Sequence, residues 1–306
     1  METAVAAAVR ELTARGAPPN AAEVALLRQQ VATRLLLAAF AASRRSAGNA
    51  EPGRDPAPYA SARAATGAAP LLSSDIAASL RGSAAGPVIL PPACDAAPLH
   101  HELVRLAATG RMTLTAQAAT GTRTDRVAWL SEVEADEAGL PALATAIRSL
   151  KALTAELNAA GATFGGCDRL VVPARAQVAA FASDDAGGYV PHWDATSLPQ
   201  QPGVFTNRRR CAAVMYACAP DWQAERDGGC LRCHVGAPPP TGLDADAQAG
   251  IKEAALQPGG PPWRYVDVAP LCGRCIVFDC TALLHQVLPA RRQRFAVTLW
   301  SYAPLA

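Results

Sequence analysis

The sequence predicts an α+β fold in which an antiparallel double sheet, or jelly roll, is supported by helices on one side and preceded by a helical, low-complexity N-terminal extension. Two observations about pattern lead there: helical hydrophobic periodicity is confined to the chain before Gly161, and short β-type runs separated by Gly and Pro fill the chain after it. A third concerns amount. Half of the 306 residues are hydrophobic, enough for a substantial core, although alanine inflates that share and aromatics supply only 5%.

Taken in order, Asn20-Ala21-Ala22-Glu23 has the form of a capping box. A helix is expected from it to about Ser43, with Val24, Leu27, Val31 and Leu35 on one stripe. From Ser46 to about Pro70 the text is Ala, Gly, Pro, Ser and Arg with little to bury, which reads as a flexible linker. Residues 1–94 are therefore taken as an N-terminal segment and 95–306 as the main domain. A second helix is expected over Pro98–Ala108, carried by Leu99, Leu103 and Leu106 and ended by Gly110. Within it His100 and His101 are adjacent, so they point about 100° apart on a helix of 3.6 residues per turn. They chelate poorly and read as a solvated face. A third helix starts at Pro141 and runs through Leu143, Ile147, Leu150 and Leu157 to Gly161.

The expected strands are Gln177–Phe181, Gly188–Trp193, Cys211–Cys218, Gly229–His234, Arg264–Val268, Arg274–Asp279, Leu284–Leu288 and Phe295–Tyr302. Between them Ala237–Pro262, rich in Pro, Ala, Gly and Asp, reads as a mobile insertion.

A net charge of +2 with both signs interspersed gives no footprint for nucleic acid. The apolar run Leu35–Ala42 is far short of the ~20 residues a membrane span needs. No small-residue cleavage site follows an apolar stretch at the start, so no secretory signal is expected; the Ala- and Arg-rich opening also suits an organelle transit peptide. Nine cysteines, eight of them after residue 160 in strand-like text, point to reduced thiols in the cytoplasm or nucleus. The chain is taken to act as a monomer.

The chemistry begins at "GYVPHWD". Alternate strand residues share a face, so His192 and Asp194 can aim an imidazole nitrogen and a carboxylate at one point. Alone, His-x-Asp is a weak motif in a chain with 26 acidic residues. His285, 91 residues after Asp194, opens another expected strand and can complete a two-histidine, one-carboxylate face of the kind that holds Fe(II). Arg294, nine residues further on, can supply a guanidinium that clamps a carboxylate bidentately.

The set "GGYVPHWD", "DWQAERDGGCLRCHVG", "FDCTALLHQVLPARRQRFAVTLW" and, earlier, "TDRVAWL" resembles the prolyl 4-hydroxylases of the Fe(II)/2-oxoglutarate-dependent dioxygenases, most of all the hypoxia-inducible-factor prolyl hydroxylases. The resemblance spans roughly residues 95–303. It implies a double-stranded β-helix core at about 175–303, iron ligands at His192, Asp194 and His285, and 2-oxoglutarate carboxylate binding at Arg294. Tyr216 and Trp300 carry over as residues of the co-substrate pocket. The implied reaction consumes O2 and 2-oxoglutarate, releases succinate and CO2, and hydroxylates a Pro-containing protein or peptide, with L-ascorbate as reductant. The iron supplies the difficult chemistry and the protein orients it.

The chain departs from that pattern in several places. Relatives carry a second, 2-oxoglutarate-binding tyrosine where this chain has Ala217, and another tyrosine where it has Ala182. The loop after Asp194 is longer than in the animal oxygen sensors, and little follows Tyr302 where they carry a helix. Both regions grip peptide in those relatives, so the resemblance does not fix the substrate. Alternatives are a 2-oxoglutarate oxygenase with a non-prolyl target and a binding protein that has lost activity. A third is a non-catalytic zinc-binding interaction protein, since Cys230–Cys233 and Cys272–Cys275 form a Cys-x-x-Cys pair of the kind zinc ribbons use. A strand through Cys230–Cys233 argues against zinc, because positions three apart face opposite sides. Arg208–Arg210 with Arg291-Arg292 read as solvated loop positions or a basic rim for an acidic peptide, and His234 as structural or surface.

Overall fold

The computed structural model describes residues 72, 76, 86–90, 96–115, 122–181, 188–198, 201–257 and 261–305. The expected N-terminal helix, the linker and Ala182 lie outside them. In chain order the elements are β1 (Val88–Leu90), α1 (Ala96–Ala108), β2 (Thr113–Leu114), β3 (Arg126–Leu130), α2 (Glu132–Glu137), α3 (Pro141–Ala159), β4 (Ala176–Phe181) and β5 (Tyr189–His192). Then come β6 (Ser197–Leu198), β7 (Gln201–Phe205), β8 (Arg209–Tyr216), α4 (Ala224–Asp227), β9 (Leu231–His234), α5 (Ala245–Ala254), β10 (Val266–Val268), β11 (Cys275–Asp279), β12 (Leu284–Val287) and β13 (Arg294–Tyr302).

The strands pair antiparallel in a seven-stranded sheet, β1-β11-β8-β13-β4-β3-β2, a four-stranded sheet, β10-β9-β12-β5, and the small hairpin β6-β7. Side-chain alternation sorts the large sheet into two faces. Ala213, Met215, Phe295, Val297 and Leu299 face α1 and α3 and share a core with Leu99, Leu103, Ile147 and Leu150. Ala212, Val214, Tyr216, Ala296 and Trp300 face the other way and pack with Leu231, Cys233 and Val268 of the small sheet. Two facing sheets with helices behind one of them make the jelly roll that the strand-rich second half implied.

Helix ends follow local chemistry. α2 is opened by a capping box, Ser131 with Glu134. Leu140, at the N-cap of α3, offers no side-chain bond, and the buried Glu102 of α1 accepts instead from the amides of Ala142 (3.0 Å) and Leu143 (2.8 Å). A carboxylate at a helix N-terminus meets both orphan N–H groups and the positive end of the dipole.

Two readings of the sequence are corrected. The stretch Ala237–Pro262 is not featureless: its alanine-rich α5 is capped by Asp244, and Ala237 and Ala255 are buried against Trp193 and Leu284. His100 is half-buried rather than solvated, with Nδ1 2.9 Å from the Ala217 carbonyl and its ring edge-on to Phe295.

Candidate metal centre

β12 lies between β9 and β5 in the small sheet, and its register with β5 sets His285 opposite His192. Directly opposed residues share a face. Asp194 follows two residues after His192 and turns back to the same point. One ligand atom from each of the three side chains lies within 4.8 Å of the others. His192 Nε2 is 4.0 Å from Asp194 Oδ1, and His285 Nε2 is 3.9 Å from Asp194 Oδ2.

Each imidazole is oriented by the carbonyl two residues upstream: His192 Nδ1 lies 2.8 Å from Val190 O, and His285 Nδ1 3.0 Å from Leu283 O. A carbonyl only accepts, so Nδ1 carries the proton and Nε2 turns its lone pair toward the point that the Asp194 carboxylate also faces. Burial, reinforced by the neighbouring His285, holds the His192 imidazole well below its ordinary pKa and hence neutral. For Asp194, burial alone would raise the pKa; the opposing pull of His285, His192 and Arg209, with a bond from Trp300, leaves it lowered and the carboxylate ionised. Trp300 Nε1 donates to Asp194 Oδ2 at 2.9 Å. Arg209 lies flat over the Trp300 indole at 3.9 Å, with Nη1 3.9 Å from Asp194 Oδ1.

On the large sheet, the 2% exposed Arg294 donates Nε to Gly229 O at 2.8 Å, and its guanidinium lies 5.1 Å from the ring centres of both Phe181 and Tyr216. No carboxylate pairs with it among the described residues. The Tyr216 hydroxyl is buried with no hydrogen-bond partner, and burial pushes its pKa upward so that it stays a donor. Tyr216 points between the sheets toward Arg294, whereas Ala217 points into the helix-side core.

Residues 176–302 match the family model of the 2OG-Fe(II) oxygenase superfamily. That match covers 127 of the 306 residues. Solved structures of similar fold include two prolyl hydroxylases. One is a prolyl hydroxylase in complex with a hypoxia inducible factor oxygen degradation domain peptide fragment from Trichoplax adhaerens, at 20% identity and TM-score 0.53, covering 75% of this chain and 88% of that one. The other is a Pseudomonas putida prolyl-4-hydroxylase, at 20% identity and TM-score 0.50, covering 76% of this chain and 98% of that one. No curated protein sequence matches the chain.

The matched family model implies Fe(II) and 2-oxoglutarate, and the residues present fit both. Two imidazoles and a carboxylate on one face suit Fe(II) with open positions. A buried guanidinium without a carboxylate, beside a phenol without an acceptor, is the complement of a carboxylate ligand.

Other sequence candidates fall elsewhere in the fold. Cys233 lies on the small sheet and Cys275 on the large one, and among the described residues the only group placed to hold a metal is His192, Asp194 and His285. The zinc-ribbon reading is thereby set aside. His234 is structural, accepting from Trp263 Nε1 at 3.1 Å. Arg292 pairs with Asp221 and Asp227, so only Arg209 of the expected basic rim reaches the triad. Among the described residues no helix is long and apolar enough to cross a membrane.

The sequence did not single out Tyr189 or Arg123, and read Arg209 only as part of a solvated loop or basic rim. The Tyr189 ring stacks on His192 at 3.5 Å, and the Arg123 guanidinium covers Tyr189 at 4.6 Å. The signal for Arg209 was its place two residues before Cys211, opposite Tyr302.

Proposed function

We propose that the protein is an Fe(II)- and 2-oxoglutarate-dependent dioxygenase that hydroxylates peptidyl proline and releases succinate and CO2. His192, Asp194 and His285 hold the iron, and the oxygenase domain comprises residues 95–306. The observation that carries this reading is the convergence of those three ligand atoms within 4.8 Å, with both imidazoles oriented to offer Nε2. Bound iron with 2-oxoglutarate supplies the activation of O2. Arg294 takes the distal carboxylate of the co-substrate bidentately and Tyr216 donates a further bond, while Trp300 and Arg209 hold Asp194. Ascorbate maintains the iron as Fe(II), and the enzyme works as a monomer in the cytoplasm or nucleus. Proline as the target is supported by the ordered motifs "GYVPHWD", "DGGCLR" and "HQVLP" with Arg294, and by the prolyl hydroxylases whose fold it shares.

The test is succinate release from 2-oxoglutarate with a library of Pro-containing peptides, followed by mass spectrometry. One added oxygen on proline is expected, with no turnover by His192→Ala. Unchanged turnover by His192→Ala overturns the assignment, and an oxygen placed on another residue overturns the prolyl part alone.

A further inference from the structure

β5 and β12 run out of step beside the triad. His285 sits opposite His192 and Val287 opposite Tyr189, so two steps along β12 span three along β5. The extra residue makes a β-bulge, a device that re-aims side chains. Regular alternation would send Tyr189 and His192, three positions apart, to opposite faces. Instead their rings stack at 3.5 Å with 19° between planes. Pro191 within this stretch has no N–H to contribute to a ladder, as suits the edge strand on which it lies.

The far face of Tyr189 is covered by Arg123, whose guanidinium lies 4.6 Å from the ring centre. Arg123 is itself fixed by a bidentate ion pair with the fully buried Asp125 and a 3.3 Å bond to Gln177 Oε1 on β4. The backbone follows the same path, with Thr124 N to Gly188 O at 3.2 Å and Val190 N to Thr122 O at 3.1 Å.

We infer that Tyr189, backed by Arg123, is a positioning residue for His192, clamping the imidazole between the edge of the small sheet and an anchor on the large one. The torsion that turns an imidazole about its Cβ–Cγ bond is broad and must be set by neighbours. The Nδ1 bond to Val190 sets it only relative to β5, an edge strand of four residues. The stack refers it to Asp125 and Gln177 instead, so that Nε2 keeps its direction when β5 moves. This inference rests on His192 being a metal ligand.

Cobalt(II) titration of the full chain, read by visible absorption, tests it without turnover. Tyr189→Phe keeps the ring and is expected to bind cobalt as the wild type does. Tyr189→Leu removes the stack but leaves the Arg123–Asp125 pair, and is expected to bind about 10–100-fold more weakly with an altered spectrum, the usual cost of losing an outer-shell partner. Arg123→Lys, which retains the charge for Asp125 but not the planar cover, is expected to weaken binding in the same direction. Equal affinity and spectrum for wild type and Tyr189→Leu overturn the clamp and leave the triad standing. A wild type that does not bind cobalt, or a His192→Ala variant that binds it equally, overturns the triad and the clamp with it.

Discussion

His192 and His285 make the same local bond, Nδ1 to the carbonyl two residues upstream, and so both turn Nε2 to the point that Asp194 faces. Tyr216 presents the opposite situation, a buried donor without a partner, and beside it Arg294 donates Nε to Gly229 O with no carboxylate paired to it among the described residues. If a carboxylate of 2-oxoglutarate is their partner, Tyr216→Phe removes one charge-assisted bond, worth about 1.5–3 kcal/mol. The expected outcome is a rise in KM for 2-oxoglutarate of about 10–100-fold with kcat little changed, measured by succinate release. Arg294→Lys should raise it too, because an ammonium cannot reproduce the guanidinium fork. Of this site's residues, His192, Asp194, His285 and Arg294 were legible from spacing, and Tyr216 and Trp300 only from the resemblance to a family. His192 and Asp194 are two apart, and Arg294 opens the strand that pairs with β4 and β8. Tyr189 could not be read, because a bulge overrides the alternation on which such reading depends.

At the scale of elements, all eight expected strands are present with ends shifted by a few residues, since apolar runs bounded by Gly and Pro survive any tertiary arrangement. β1, β2 and the β6–β7 hairpin were missed. They are two to five residues long, too short to show a period, and exist because a neighbouring edge pairs with them. β3 was seen only as the motif "TDRVAWL". The Gly228-Gly229 turn before β9 has a stricter role than punctuation. Gly228 has φ +68° and a Cβ there would lie 2.4 Å from Pro289 O, while Gly229 has φ +72° and a Cβ would sit 3.0 Å from Arg294 Cδ. Gly229→Ala should therefore cost about 1–2 kcal/mol from the left-handed backbone alone. It should also raise KM for 2-oxoglutarate by displacing Arg294, a pairing that denaturant melts and succinate assays together would detect.

At the scale of the molecule, the two sheets divide the work. The small sheet carries His192 and His285, with Asp194 just past β5, and the large sheet carries Tyr216, Arg294 and Trp300. Trp300 joins them through its bond to Asp194. The helix-side core contains none of these residues, so removing metal with a chelator should leave it folded.

Among the described residues no carboxylate pairs with Arg294, and this has a thermodynamic consequence. A guanidinium kept in the interior without a counter-charge lowers the stability of the empty protein, and an anion that fits restores it. 2-Oxoglutarate should accordingly raise Tm, equivalent to about 2.7 kcal/mol at a hundredfold excess over Kd. Arg294→Met should melt higher than the wild type without the co-substrate and gain nothing from its addition; a calorimetric scan of both proteins checks this. The co-substrate then counts as the last piece of the interior, and the lifetime of the folded chain becomes a readout of how much of that metabolite surrounds it.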